Sequence, residues 1–142
     1  GEELHLNIQV ADSAEEAAAG ADVVICATTS SISVLRSAWL KEGVHVNTLG
    51  PKFHDAHEIE IEIAERAAVI ATDSLAQVDA YPKPFFLADT PYYDRMVELA
   101  DLLAGKRPGR SADDQITLFL SVGLAGTEVV LANELLRRVK GG

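Results

Sequence analysis

Small hydroxyl residues follow the most apolar stretch of the sequence, and side chains of this kind suit a ligand-binding edge. Residues 23–27 read Val-Val-Ile-Cys-Ala and lead directly into Thr28, Thr29 and Ser30. A run this apolar is typical of a central strand in a parallel sheet that is buried on both faces. Because ligands of open α/β sheets bind at the carboxyl ends of the strands, the sequence predicts a binding crevice at these hydroxyl residues.

A second strand end repeats this arrangement further along the chain. Residues 44–48 read Val-His-Val-Asn-Thr, and Leu49 and Gly50 follow. The glycine lacks a side chain and leaves the backbone open, as the small residues after the first strand do. Two strand ends of this kind, separated by one helix, predict a nucleotide-type crevice at one edge of a sheet.

Residues 54–58 contain two histidines and two carboxylates, which are common metal ligands. The order His-Asp-Ala-His-Glu matches no standard zinc pattern, and no further ligand cluster follows it. Asp55 and Glu58 have the spacing of a capping box, so the pattern favours a role for His57 and Glu58 at the start of a helix. We therefore predict no metal site.

Composition and charge narrow the classes of partner. The chain has 142 residues and 48% hydrophobic content, which is enough for one domain with its own core. Its net charge of −10 opposes binding to nucleic acid and to anionic membranes, which require clustered lysines and arginines. No window is apolar enough to span a membrane, and the first residues include acids but no apolar signal segment. Cys26 cannot form an internal disulfide, so we expect a buried core thiol in a cytoplasmic protein.

The elements that must position the two strand ends alternate between strands and helices. The predicted strands are 6–10, 23–27, 44–48, 68–71 and 116–120. The predicted helices are 14–19, 60–67, 74–80, 91–104 and 124–140, with a helical turn within 33–40. This order is typical of a doubly wound α/β fold with a mostly parallel sheet.

The last predicted helix, 124–140, carries an apolar stripe along one side. Its members recur at 4-3-4-3 spacing, and they are Ala125, Val129, Ala132, Leu136 and Val139. Spacing of this kind is typical of a packing seam. The sequence thus predicts a long C-terminal helix that packs against another element.

The sequence contains no dinucleotide-type phosphate loop. Such a loop, Gly-x-Gly-x-x-Gly, brings bare backbone to the pyrophosphate at a helix N-terminus. Gly123 and Gly126 lie between a predicted strand and a predicted helix, but the glycine pair that should precede them is missing. A tight strand-to-helix turn is the favoured interpretation.

Four blocks of the sequence resemble the C-terminal half of the ornithine cyclodeaminase/μ-crystallin family. The first reads Gly-Ala-Asp-Val-Val-Ile-Cys-Ala-Thr-Thr-Ser, and the blocks are residues 20–30, 39–50, 103–111 and 114–125. The resemblance implies the C-terminal part of a Rossmann-type domain over 1–142, with NAD or NADP as cofactor. It also implies an amino acid or cyclic imine as substrate and a homodimer or other homo-oligomer. Cyclodeaminase, ketimine reductase and amino-acid dehydrogenase activities all fall within it.

The resemblance further implies a set of cofactor-binding residues at three strand ends. These residues are Ala27, Thr28, Thr29, Leu49, Gly50, Ser121, Val122 and Gly123. The first three would lie against the nicotinamide ribose, and the next two would flank the nicotinamide. The last three would close the pocket from another strand.

Lys52 is the candidate catalytic residue. Cyclodeaminating members carry an acid/base aspartate at this position, two residues beyond the glycine that matches Gly50. A lysine does not replace a carboxylate by simple analogy, but it can bind a substrate carboxylate or act as an acid if its pKa is lowered. An exposed loop lysine is the alternative interpretation. The departure argues against cyclodeamination and leaves imine reduction and dehydrogenation open.

A non-catalytic oligomeric module derived from the same fold is the alternative function. The glycine-rich loop and the substrate-binding basic residues of the family have no counterpart in the matched half, so we expect weak binding of a whole dinucleotide or none. A sheet that lacks its first strands has an unpaired edge and uncovered apolar faces. We therefore expect the chain to self-associate.

Overall fold

A computed structural model describes residues 6–124 and 126–140 of the chain. The strands in these ranges are β1 (Val23–Cys26), β2 (His45–Thr48), β3 (Lys52–Phe53), β4 (Ala56–His57), β5 (Ala67–Thr72), β6 (Met96–Glu98) and β7 (Ile116–Leu120). The helices are α1 (Ala14–Ala18), α2 (Ile61–Arg66), α3 (Leu75–Asp79), α4 (Leu99–Leu103) and α5 (Thr127–Lys140). Two 3-10 turns cover Ser37–Trp39 and Tyr93–Arg95.

Five strands form one parallel sheet in the order β1-β2-β7-β5-β6. The carboxyl ends of parallel strands lie at the same edge, so the segments that follow β1, β2, β7 and β5 are neighbours in space. A short antiparallel hairpin of β3 and β4 follows the end of β2. The mostly parallel α/β sheet with a C-terminal helix confirms the predicted fold class.

One face of the sheet supports the hydrophobic core. Val46, Leu118 and Ile70 lie side by side on β2, β7 and β5, and all three are buried. Helix α2 contacts β5 and β7 and adds Ile63 and Ala64 to this core. The helices predicted at 14–19, 60–67 and 74–80 are all present with slightly shorter bounds, because their apolar residues face this side of the sheet.

Strand β1 lies at the edge of the sheet, so its predicted central position is wrong for the described residues. It pairs with β2 on one side only, and Val23 and Ile25 on its second face are 57% and 63% exposed. The apolar run indicated burial on both faces, and Cys26 is buried as expected. Nothing within 6–124 and 126–140 covers the second face of this strand.

The strand predicted at 6–10 is also wrong, because these residues form no ladder and Ile8 and Val10 are exposed. Alternating side chains alone do not make a strand, since a strand needs a hydrogen-bonding neighbour.

The helix predicted at 91–104 is replaced by a 3-10 turn, strand β6 and the short helix α4. Met96 pairs with Ile70 of β5 and is buried, whereas Leu103, which was predicted to face inward, is 80% exposed. The apolar spacing suited a helix, but residues 96–98 pair with β5 as an edge strand and bury Met96. Tertiary contacts here override the local pattern.

Helix α5 confirms the predicted C-terminal helix but not its packing. Val129, Leu136 and Val139 of the predicted seam are exposed, while Ala125 lies outside the described residues. Gly123 and Gly126, both with positive φ, form the turn between β7 and α5, in agreement with the favoured interpretation. No helix in the described ranges has the length and apolarity needed to cross a membrane.

Candidate functional site

The candidate site is the sheet edge at which β1, β2, β7 and β5 end. Two carboxylates, Glu58 and Asp73, accept hydrogen bonds from the segments that follow these strands. A buried lysine, Lys52, lies in the hairpin next to them. These three charged side chains determine the local structure of the edge.

Glu58 joins the ends of β1 and β2. It is fully buried between β4 and α2, and its Oε1 accepts the N–H of Thr28 at 2.5 Å. Its Oε2 accepts the N–H of Gly50 at 2.6 Å and the hydroxyl of Thr48 at 2.9 Å. One carboxylate therefore links two neighbouring strand ends.

The carboxylate of Glu58 stays ionised in spite of its burial. Burial raises the pKa of Glu58, but the hydrogen bonds from Thr28, Thr48 and Gly50 together lower it further. The net pKa lies below its ordinary value of 4.5. Hydrogen bonds to the charged form are the cause, since they favour the carboxylate over the acid.

Gly50 has no room for a side chain. A Cβ at this position would lie 2.3 Å from the carboxyl carbon of Glu58 and 2.3 Å from the carbonyl oxygen of Thr28. The second contact is with backbone, which cannot move away as a side chain can. The need for glycine here thus comes from the protein's own packing.

Asp73 performs the corresponding role at the ends of β5 and β7. It follows β5 directly, and its carboxylate accepts the N–H of Val122 at 2.8 Å and the N–H of Gly123 at 3.0 Å. It also accepts the hydroxyl of Ser121 at 3.0 Å. All three residues predicted to close the pocket are therefore fixed by one side chain.

Lys52 is buried, at 1% exposure, so the alternative of an exposed loop lysine is wrong. Its Nζ donates to the carbonyl oxygen of Gly50 at 2.8 Å. Burial lowers the pKa of Lys52 to about 8, against the opposing effect of the charges on Glu58 and Asp73. The catalytic role of Lys52 stays a prediction.

The predicted cofactor-binding residues lie at one edge of the sheet, at the ends of three consecutive strands. Exposed members are Ala27, Thr28, Thr29, Leu49 and Gly123, and half-buried members are Gly50, Ser121 and Val122. Four of their N–H groups are engaged by Glu58 and Asp73. The N–H groups of Leu49 and Ser121 donate to the carbonyl oxygens of Cys26 and Thr48, so six of the eight N–H groups are engaged within the protein.

Neither Glu58 nor Asp73 was predicted from the sequence as a residue of the site. The capping-box interpretation is wrong, because Glu60 precedes α2, whereas Asp55 lies in the exposed turn of the β3–β4 hairpin and pairs with Lys83. A usable signal existed for Asp73, since an acid directly after a strand lies at the ligand-binding edge. No local signal exists for Glu58, whose partners are 8, 10 and 30 residues away.

Two other side chains that could take part in chemistry, Cys26 and His57, are packed inside the protein's own structure. Burial raises the pKa of the Cys26 thiol to about 11, as does the charge of Glu58, so the thiol is a core group. The ring of His57 stacks on Phe86. Within the described ranges, no three His, Cys, Asp or Glu side chains are grouped so as to hold a metal ion.

Comparison with known proteins identifies the family. The profile described as "Ornithine cyclodeaminase/mu-crystallin family" matches residues 2–142. The chain belongs to this family. The resemblance carried by the four sequence blocks is thereby confirmed. Ketimine reductase mu-crystallin of Mus musculus is 30% identical over 126 residues, which cover 89% of this chain and 38% of that protein.

Two solved structures of the family share the fold closely. Δ1-pyrroline-2-carboxylate reductase of Thermococcus litoralis, in complex with NADH and L-proline, has a TM-score of 0.78 at 29% identity. This match covers 93% of this chain and 42% of that one. An archaeal alanine dehydrogenase dimer with bound NAD has a TM-score of 0.77 at 28% identity, over 93% of this chain and 41% of that one.

The names of these relatives describe similar reactions, and all three proteins are longer than this chain. The two solved structures contain NADH and NAD, and the names of all three relatives describe reactions on an amino acid or an imine. The chain spans about two fifths of the length of the relatives it matches.

Gly50→Ala is expected to lower the free energy of unfolding by about 1–3 kcal/mol, because the new methyl group overlaps Glu58 and the backbone of Thr28. Chemical denaturation measures this loss. Gly109→Ala is the control, since a Cβ at Gly109 meets nothing within 4 Å, and its change should stay within about 0.5 kcal/mol. Equal stability of the two variants would contradict the close approach at Gly50.

Lys52→Met is expected to reveal the lowered pKa through the pH dependence of stability. The unfolded chain binds the lysine proton up to a pKa of 10.5, whereas the folded chain releases it at about 8. The wild-type free energy of unfolding should therefore rise relative to Lys52→Met above pH 8. From about pH 7 to about pH 9.5 the rise should be about 2 kcal/mol, at about 1.4 kcal/mol per pKa unit.

Denaturation of both proteins at the two pH values provides the measurement. Loss of the donor to Gly50 is the same at every pH and cancels in the comparison. A stability difference that does not change with pH would rule out a depressed pKa for Lys52.

Proposed function

We propose that the chain forms the nicotinamide side of an NAD(P) site in an enzyme that interconverts an amino acid and its imine. The observation that carries the proposal is the sheet edge, where β1, β2 and β7 present small residues side by side. Family membership and the NAD and NADH of the two solved relatives support it. In this proposal the chain is the C-terminal part of a Rossmann-type domain.

The residues present fit the nicotinamide half of the cofactor better than the phosphate half. Ala27, Thr28 and Thr29 are exposed and small, and Leu49 adds an apolar surface beside Gly50. Glu58 and Asp73 use their charges on protein N–H groups, so neither carboxylate is left unpaired toward a ligand. No Gly-x-Gly-x-x-Gly turn occurs in the sequence to cradle a pyrophosphate.

The bound cofactor would supply hydride transfer, and this chain would supply orientation and electrostatics. Ketimine and pyrroline-carboxylate reductase relatives support an imine or amino acid as the substrate class. For Lys52 we propose positioning in preference to direct contact with substrate, because its ammonium group is buried and engaged by the Gly50 carbonyl. The missing aspartate at this position continues to argue against cyclodeamination.

The charge and the cysteine content of the chain bear on its binding partners and its cellular location. We propose small-molecule partners and neither nucleic acid nor membranes, since the net charge of −10 disfavours polyanions. The lone buried thiol supports a cytoplasmic location.

NMR titration of the ¹⁵N-labelled chain tests the nicotinamide site. Reduced nicotinamide mononucleotide and NADH should both shift the amides of 27–29, 49–50 and 121–123, with Kd on the order of 1 mM. The two affinities should agree within about threefold, because the chain lacks a pyrophosphate cradle. AMP is the control and should leave these amides unchanged. No shifts at this edge with either nicotinamide ligand would refute the proposal.

Self-association is the second expected property, and it is the one that a non-catalytic oligomeric module would share. The stripe on α5 and the free edge of β1 expose large apolar side chains, and the archaeal alanine dehydrogenase relative is a dimer. Apolar surfaces of this kind are typical of interaction sites.

Multi-angle light scattering should give a mass of at least twice the 15.2 kDa of one chain. Leu136→Lys, which places a charge in the apolar stripe of α5, should shift the protein toward monomer. Glu128→Lys places the same side chain at an already charged position of α5 and should not. A wild-type monomer at high concentration would exclude self-association.

A further inference from the structure

The ladder between β1 and β2 stops at the point where Glu58 begins to accept hydrogen bonds. The last ladder bond runs from the N–H of Leu49 to the carbonyl of Cys26, at 2.8 Å. In a continuing parallel ladder the N–H of Thr28 would next donate to Leu49. It donates to Glu58, so the carboxylate takes the place of the next rung.

The ladder between β2 and β7 ends in the same way. Its last bond runs from the N–H of Ser121 to the carbonyl of Thr48, at 3.1 Å. The N–H of Gly50 would next donate to Ser121, but it donates to Glu58 at 2.6 Å. A single buried side chain therefore terminates the pairing on both sides of β2.

We propose that Glu58 is the positioning residue of the nicotinamide site. Its carboxylate ends the pairing of β2 with both neighbouring strands. It thereby fixes the distance between the strand ends that form the crevice. This inference rests on the proposed function and names the residue that shapes the nicotinamide site. Glu58 acts through the peptides of Thr28 and Gly50 and does not contact the ligand.

The chemistry of a carboxylate suits this position, and that of an amide does not. Both oxygens of Glu58 accept, and each takes at least one N–H. Glutamine has one acceptor oxygen and one NH₂ group, so one of the two N–H donors would face another donor. Charge-assisted hydrogen bonds of this kind are also about twice as strong as neutral ones.

The peptide of Gly50 is fixed from both ends by opposite charges. Its N–H donates to Glu58, and its carbonyl accepts from Lys52. The carboxylates of Glu58 and Asp73 act on Lys52, and the charge of Glu58 raises its pKa. Removal of the Glu58 charge should therefore lower the pKa of Lys52 further, which reports that the ionised carboxylate lies close to Lys52 in the folded protein.

Glu58→Gln and Glu60→Gln form a matched pair for the test. Glu60 is also a carboxylate that accepts a backbone N–H, from Ser37 at 2.9 Å, but it lies at the start of α2. Titration with reduced nicotinamide mononucleotide should show at least a tenfold weaker Kd for Glu58→Gln, as expected for the loss of a hydrogen bond to a charged group. Glu60→Gln should bind within about twofold of wild type.

The ammonium signal of Lys52, followed by NMR against pH, supplies the second readout. It should titrate below about 8 in Glu58→Gln and at the wild-type value in Glu60→Gln. A folded Glu58→Gln protein with wild-type affinity would overturn the inference and leave the proposed function intact, whatever the Lys52 titration shows. Failure of the wild-type protein to bind would overturn both.

Thr48→Val keeps the test decisive if Glu58→Gln does not fold. This variant preserves the shape of a buried side chain and removes one of the three hydrogen bonds to Glu58. Its affinity for reduced nicotinamide mononucleotide should fall about threefold to tenfold. An unchanged affinity would contradict the positioning role.

Discussion

A buried carboxylate at the point where three parallel strands stop pairing is the interaction on which the candidate site depends. Glu58 accepts hydrogen bonds from two backbone N–H groups and a hydroxyl. The side chain is fully buried, so these protein groups take the place of water around the carboxylate. Burying an unpaired charge is costly, so this side chain is stable only because all of its partners are supplied. The strand ends and the carboxylate therefore specify each other.

The same device recurs along the sheet edge. Asp73 binds the segment after β7, and Glu98 at the end of β6 accepts the N–H of Leu75 at the start of α3, at 2.8 Å. Each acid fixes the start of the segment whose N–H it accepts. Lys52 offsets part of this concentration of negative charge from within the protein, which explains why a lysine is buried here at all.

The sequence predicted the elements whose patterns are local. The short strands ending at Thr48 and Leu120 were predicted at 44–48 and 116–120, and α3 was predicted within 74–80, directly after Asp73. In the structure Ser74 caps this helix. The strand at 96–98 was missed, since its existence depends on pairing with β5 and its local spacing suits a helix. The position of β1 at the sheet edge was also not visible, because its apolar run indicates burial on both faces.

In the candidate site, too, only features with a local sequence pattern could be predicted. Strand-end residues such as Thr28 and Gly50 could be located from sequence, because parallel sheets place them at one edge. The reason for glycine at position 50 could not, since it depends on a carboxylate eight residues later. Burial of Lys52 was equally hidden, because lysine is almost never fully buried and nothing next to it in sequence indicates the carbonyl that it contacts.

The amide protons of Thr28 and Gly50 report most directly on the central interaction, because both are bound by the ionised Glu58. Their NMR chemical shifts, followed as the pH is lowered, should change together with one shared midpoint below pH 4.5, where Glu58 takes up its proton. Two amides with different midpoints, or with a shared midpoint at or above pH 4.5, would contradict a shared carboxylate at the point where the strands separate.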